Sequence, residues 1–170
     1  STTRGGGVWR GDDTGWTEAV PAGHDVHQVV ALDTTVVAAG GDGVGVSLDG
    51  GATWKWSSDG LHAAYCRAAA IADGFVLVAA STGPATTHAS IYRRPLGAAD
   101  KPFEPCGDST PTGLPAGFKR NIDTFELAAA GELVAVATPT SELYLSDDSG
   151  ENWLRINDAL PGIRCVGFVD

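Results

Sequence analysis

SLDGGATW, residues 47–54, and SDDSGENW, residues 146–153, place Ser, Asp, Gly and Trp at the same four offsets. A phrase written twice in one chain directs the reading to internal repeats, which mark stacked or ring-like folds when their period is about 20–50 residues. Working outward from each copy, the flanking segments repeat as well. PAG at 21–23 returns at 115–117, with DGL at 59–61 and ALPG at 159–162 in comparable places.

Each of these is followed by a short apolar run: 26–32, 66–71, 122–128 and 164–169. After a tight Asp or Gly turn the first three are followed by a second run, at 35–40, 75–81 and 132–138. A third run comes at 43–47, 89–94 and 142–146, and TWKWSS or NWLRIN supplies a fourth, more polar one. Runs of four to seven residues rich in Val, Ala and Phe and bounded by Gly, Asp and Pro are strand signals, and none keeps a helical period. Four short antiparallel strands per about 45 residues is the pattern of a β-propeller blade. The fold class expected is therefore all-β, a propeller with about three full blades and a split or incomplete one. The blades fall near 1–22, 23–60, 61–116 and 117–160, with 161–170 starting or closing another. Three closures are open: the remainder of a longer chain, a partner copy, or a small four-bladed ring lacking one strand. The absence of Met anywhere predicts that the chain begins at a processing site or a cut.

Composition narrows the function. With 43% apolar and 19% charged residues, 170 residues can fill a core. The apolar runs are far shorter than the roughly 20 residues a membrane helix needs, so no membrane insertion is expected. A formal charge of −10 with 11 cationic residues argues against a nucleic-acid groove. Few Lys and abundant Ala, Gly and Val suit a GC-rich bacterial genome. Cys66, Cys106 and Cys165 show no CxxC spacing, so neither a zinc site nor a disulfide framework is indicated; Cys66 and Cys165 are expected as buried small hydrophobes. No cofactor and no metal are expected.

Ser47-x-Asp49-x-Gly51-x-Thr53-Trp54 resembles the Asp-box, or BNR repeat, of sialidases, sortilin-like receptors, xyloglucan-cleaving glycosidases and photosystem assembly factors. The second copy keeps Ser146, Asp148, Gly150 and Trp153 but has Asn152 where the family has Thr. Asp12 and Trp16 are remnants of an N-terminal copy, and Phe103 stands near the Trp position of an eroded one. The resemblance implies a structural turn between third and fourth strands, on the face away from any active site, with the Trp ring packed between blades. It also implies that export is common, although the sequence leaves the compartment unknown.

Function is then expected on the opposite loops, which gather all four His residues and several Arg. The candidate binding residues are His27, Arg67, Arg120, Asp123 and Arg164, suited to an anionic or sugar-like ligand. The favoured reading is a non-catalytic binding or scaffold module for a protein or glycan; the long Pro-rich segment 95–117 is a further place for recognition. The alternative is a glycosidase. A sialidase-like site would use Tyr65 beside Arg67 with Asp42 or Glu142 across the ring, and a xyloglucanase-like site would need two facing carboxylates drawn from Asp42, Asp123 and Glu142.

Overall fold

Val- and Ala-rich runs become strands here wherever a Gly or Asp turn can reverse them, and the turns are close enough together that each strand pairs with the next in sequence. The computed structural model describes residues 6–107, 113–138, 140–157 and 160–169. A hairpin of β1 (Val8–Asp12) and β2 (Gly15–Val20) comes first. Three four-stranded antiparallel meanders follow. The first is β3 (Val26–Leu32), β4 (Thr35–Gly40), β5 (Gly43–Ser47) and β6 (Lys55–Ser57). The second is β7 (Tyr65–Ala72), β8 (Phe75–Ser81), β9 (Ala89–Pro95) and β10 (Glu104–Pro105). The third is β11 (Leu127–Ala130), β12 (Leu133–Ala137), β13 (Leu143–Ser146) and β14 (Leu154–Asn157).

The sheets pack face to face in a blade-like series, each on the one after it. Val37, Ala39, Val44 and Val46 of the first meander meet Val76, Val78 and Tyr92 of the second. Leu77, Ala79 and Ile91, on the other side of the second, meet Val134, Val136 and Tyr144 of the third. The two-residue period of a strand sorts these sets, since residues of opposite parity leave opposite faces. Burying Leu77 or Ile91 fully contributes about 1.5–3 kcal/mol each. The first strands β3, β7 and β11 lie side by side, where Ala68, Ala69 and Ala70 are small enough to let neighbours approach and Ala69 N–H donates to Gln28 Oε1 at 3.3 Å.

The two repeated turns share one hydrogen-bond plan. Ser47 Oγ donates to Asp49 Oδ1 at 2.8 Å and accepts from Gly51 N–H at 2.8 Å, while Asp49 accepts from Thr53 N–H and Oγ1. Ser146, Asp148 and Gly150 repeat this, and Asn152 does the work of the Thr by donating its own N–H and its Nδ2 to Asp148. Gly51 and Gly150, with φ of 85° and 87°, supply the left-handed backbone that the turn requires. Trp54 and Trp153 each donate Nε1–H back to that Gly carbonyl, at 3.0 and 2.9 Å. These bonds from Thr53 and Ser47 hold the Asp49 carboxyl well below the usual range. Partial burial works to raise Asp148, but the bonds from Asn152, Ser146 and Glu151 outweigh it and leave it lowered.

Several expectations are corrected. Of 122–128 only Leu127 and Ala128 lie in a strand, β11, because Ile122 enters the core from irregular chain ahead of the turn that Glu126 N–H closes on Asp123 O. Among the described residues 164–169 form no strand; the segment is tied by Val166 N–H, which donates to Phe125 O at 2.8 Å. That leaves Cys165 exposed, whereas Cys106, whose N–H donates to Ile91 O of β9, is buried; all three cysteines are free. Burial pushes both the Cys66 and Cys106 thiols up to about 12, with the charge of Asp42 adding to the rise at Cys66. Trp16, expected between sheets, is 74% exposed. Among its described residues the Pro-rich segment contributes Pro95 at the end of β9 and the two-residue β10; its residues 108–112 lie outside the described ones.

Candidate functional site

Antiparallel alternation sends the loops to two ends of the sheets. At one end lie the repeated turns, where Gly50 N–H meets Thr34 O at 2.8 Å and Ser149 N–H meets Glu132 O at 2.9 Å. At the other lie the entries to the first strands and the links between second and third strands, as Gly41 N–H to His24 O at 3.0 Å illustrates. The candidate residues belong to this second end.

Two of them owe their direction to irregular pairing. The ladder shifts between Val26 and Gln28 in β3 and between Cys66 and Ala68 in β7, so His27 and Arg67 are the bulged residues. A bulge re-aims the side chain it carries. Each reaches the neighbouring sheet: His27 Nδ1 donates to Cys66 O at 2.7 Å, and Arg67 Nε lies 2.9 Å from Asp123 Oδ1. A carbonyl can only accept, so the His27 hydrogen sits on Nδ1, while its Nε2 lies 3.3 Å from Asp25 Oδ2.

Arg67, Arg120, Asp123 and Arg164 line one open pocket of about 500 Å³ between the second and third meanders, closed on one side by Gly162 and Ile163. Its wall is built from buried polar groups. Asn121 Nδ2 donates to the carbonyls of Gly83 and Pro84, at 3.3 and 3.1 Å, and so fixes the link from β8 to β9. Thr86 in that link donates to His88 O at 2.6 Å. Glu126, 4% exposed, accepts from Asp123 N–H through Oε2 at 2.7 Å. Burial raises the Glu126 carboxyl above its ordinary range, against the lowering influence of the Asp123 amide and of Arg67 and Arg164. Arg120 also borders a second pocket of about 380 Å³ with Lys119, Glu142, Tyr144 and Arg155, so its side chain lines both. Five of the 11 cationic residues of a chain with formal charge −10 therefore border these two pockets. Such a local excess draws anions toward the cleft.

The remaining candidates lie outside the first pocket. His27 is engaged at both ring nitrogens and stands against Tyr65 at 4.8 Å between ring centres. Asp42 accepts from His24 Nδ1 at 2.8 Å, and the His24 ring stacks on Trp56 at 4.0 Å. Glu142 accepts from Thr138, Thr140 and the Tyr144 hydroxyl in the second pocket. Tyr65, Asp42 and Glu142 thus each have separate surroundings. His62 and His88 meet edge to face at 4.6 Å, with His62 Nδ1 2.8 Å from the Tyr92 hydroxyl; burial and the neighbouring His88 hold the His62 pKa down. Among the described residues no group of three or more His, Cys, Asp or Glu is placed to hold a metal ion, and no helix is long and apolar enough to cross a membrane.

Sequence reasoning missed Glu126, Asn121 and Thr86. Only Glu126 left a signal: Asp123-Thr-Phe-Glu126 has the spacing at which an acidic side chain turns back onto the amide three residues earlier.

No family model matches the chain, and no curated protein matches it. Solved structures do. YCF48 bound to a D1 peptide superposes with a TM-score of 0.56 at 17% identity, over 81% of this chain and 41% of that one. A GH74 xyloglucanase from Xanthomonas campestris superposes with a TM-score of 0.55 at 16% identity, over 89% of this chain and 27% of that one. The chain spans less than half the length of either, and at these identities what it shares with them is the fold, a series of packed antiparallel sheets.

Proposed function

We infer that the chain is a partial β-propeller of the Asp-box kind, with blades near 1–22, 23–60, 61–116 and 117–160 and another begun or closed by 161–170, and that it is a non-catalytic binding module. Its ligand is a protein segment that presents a carboxylate to the pocket between the second and third meanders. The observation that carries this reading is the convergence of Arg67, Arg120 and Arg164 on one pocket of a strongly acidic chain. Guanidinium groups suit carboxylates because their N–H donors match both oxygens at once. Arg120 and Arg164 are exposed and meet the ligand; Arg67 is steered by Asp123, and His27 steadies the neighbouring bulge. That a solved chain of the same fold carries a bound peptide supports a protein ligand over a glycan.

A glycosidase reading has less to stand on. The two carboxyls of the pocket are both occupied, Asp123 by Arg67 and Glu126 by the Asp123 amide, and Tyr65 and Asp42 belong to other contacts.

The test is an array of peptides ending in a free α-carboxylate, each paired with its amidated twin, read by fluorescence anisotropy. Free-acid peptides are expected to bind about tenfold more tightly than the amides, the scale of a hydrogen bond to a charged group. Equal binding of twins, or no binding, overturns the carboxylate reading. Release of product from fluorogenic sialosides or β-glucosides, abolished by Tyr65→Phe or Asp42→Asn, establishes the enzyme instead.

A further inference from the structure

The turn Asp123-Thr124-Phe125-Glu126 carries the acidic part of the pocket, and each of its residues is tied down. Glu126 N–H closes the turn on Asp123 O at 3.0 Å, and Glu126 O accepts from Ala137 N–H of β12 at 2.8 Å. Thr124 Oγ1 donates to Arg67 O at 3.2 Å, and Phe125 O accepts from Val166 N–H at 2.8 Å. Phe125 holds a φ of 70°, a left-handed backbone that a bulky residue keeps only where its surroundings impose it. The Glu126 side chain is fixed as well, since Oε2 accepts from Asp123 N–H at 2.7 Å.

Its other oxygen has no such support. Glu126 lines the pocket, yet Oε1 has no hydrogen-bond or ion-pair partner among the described residues. The residue is only 4% exposed, so solvent gives its charge little help. The described ionisable groups that share the pocket are Arg67, Arg120, Asp123 and Arg164; Asp123 is already paired with Arg67, and no His is among them.

A carboxylate entering that space sets a second negative charge beside a buried one that is held in place. Two close carboxyls in a low dielectric do not both stay ionised, and one of them keeps a proton. Glu126 is the one that yields. Burial, with the charge of Asp123 adding to it, already holds its carboxyl above the ordinary value, against the Asp123 amide and against Arg67 and Arg164. The entering carboxylate meets the exposed guanidinium groups of Arg120 and Arg164, which favour its charged form.

We propose that Glu126 is a further binding residue, which takes one proton from solvent as the ligand docks and donates Oε1–H to the ligand's carboxylate. The proposal rests on the carboxylate-binding reading above and adds its pH dependence. A group that holds its proton more firmly in the complex than in the free protein couples binding to proton uptake. Affinity is therefore full below the free value of Glu126 and is lost as pH rises through the bound value, by up to about tenfold per pH unit for one proton. Arginine stays charged throughout, so a pocket that relied on arginines alone would show no such slope.

Calorimetry with the tightest free-acid peptide of the array, in buffers of different ionisation enthalpy from about pH 5 to about pH 8, tests this. An α-carboxyl, with an ordinary value of about 3.5, stays ionised over that range. The parent is expected to take up a proton with the peptide, and its affinity to fall as pH rises. Glu126→Gln puts a neutral donor in place of the protonated acid. It is expected to bind with the parent's low-pH affinity at every pH and without uptake, its folding checked by circular dichroism. In the parent itself, labelled at the glutamate carboxyl carbon, the Glu126 resonance is expected to titrate at higher pH in the saturated complex than in the free protein. Binding without proton uptake, a Glu126 titration that the peptide leaves unmoved, or uptake that persists in folded Glu126→Gln overturns the proposal and leaves the carboxylate reading standing. Failure of every free-acid peptide to bind overturns both.

Discussion

Arg67 Nε lies 2.9 Å from Asp123 Oδ1, joining the bulged residue of β7 to the turn that precedes β11. The two facing atoms are buried, but the side chains as a whole are 31% and 45% exposed, and a partly exposed pair of this kind is worth about 1 kcal/mol to the fold. Its larger consequence is for the pocket, where Asp123 offsets the charge of Arg67. Asp123→Asn is expected to cost little stability in urea and to raise affinity for a free-acid peptide severalfold, measured by calorimetry.

Arg120→Ala and Arg164→Ala are each expected to weaken that peptide about tenfold, the value of one charged hydrogen bond. Both side chains are exposed. Their contribution should therefore fall as salt rises from about 0.01 to 1 M, since the screening length shrinks from about 30 to 3 Å. Titrations at a series of salt concentrations check this.

Asp49 and Asp148 lie below the ordinary 3.8 when folded. A depressed carboxyl favours the native state above its unfolded value and loses that contribution as pH falls toward the folded one. Asp49→Asn and Asp148→Asn are expected to be less stable than the parent at pH 7 and to approach it below about pH 4, by the linkage of proton binding to folding. Thermal melts across pH 2–7 follow this, on the usual acid-denaturation range.

Glu126 runs the other way. Its carboxyl is raised above 4.5, with burial as the first cause, so the native state holds the proton more firmly than the unfolded chain. Stability from this group is full below 4.5 and declines as pH rises through the shifted value. Glu126→Gln keeps an acceptor for the Asp123 amide and removes the titration. Its stability relative to the parent should rise with pH, and the same melts report it.

Gly60 and Gly74 make a matched pair. Both have positive φ, 83° and 72°. A Cβ on Gly60 would meet Phe103 O at 2.2 Å, whereas one on Gly74 meets nothing within 4 Å. Gly74→Ala is expected to cost about 1 kcal/mol from backbone strain alone, and Gly60→Ala at least about 3 kcal/mol, because strain and collision with backbone combine. Urea unfolding separates the two.

The strands that were legible are those whose apolar run is closed at both ends by turn residues. The runs read at 35–40, 43–47 and 75–81 are β4, β5 and β8 residue for residue. Where the signal misled, apolar residues are buried without being in a strand: Ile122 fills the core from irregular chain, and Phe103 packs under Arg94, its guanidinium 4.2 Å from the ring centre, beside a strand of two residues. The loops of the site could be assigned to one end by counting strands. That Arg67, Arg120 and Arg164 share a pocket could not, since it depends on the bulge at Arg67 and on where 162–164 lies. Asn121 and Thr86 were hidden because they stand among other polar loop residues, and the bonds that join their two loops are made between segments far apart in sequence.

The bonds of the repeated turns have one more consequence. From Ser47 to Trp54, and again from Ser146 to Trp153, every one spans four residues or fewer. Closing so short a loop takes about 10–100 ns and a hairpin about 1–10 μs. The turns can therefore form ahead of any contact between sheets, and they bring β5 to β6 and β13 to β14 in the correct register while the rest of the chain is still searching. A fold whose sheets must find one another over long separations is slow to assemble. Repeating a self-sufficient turn shortens that search by handing the later steps hairpins that are already paired.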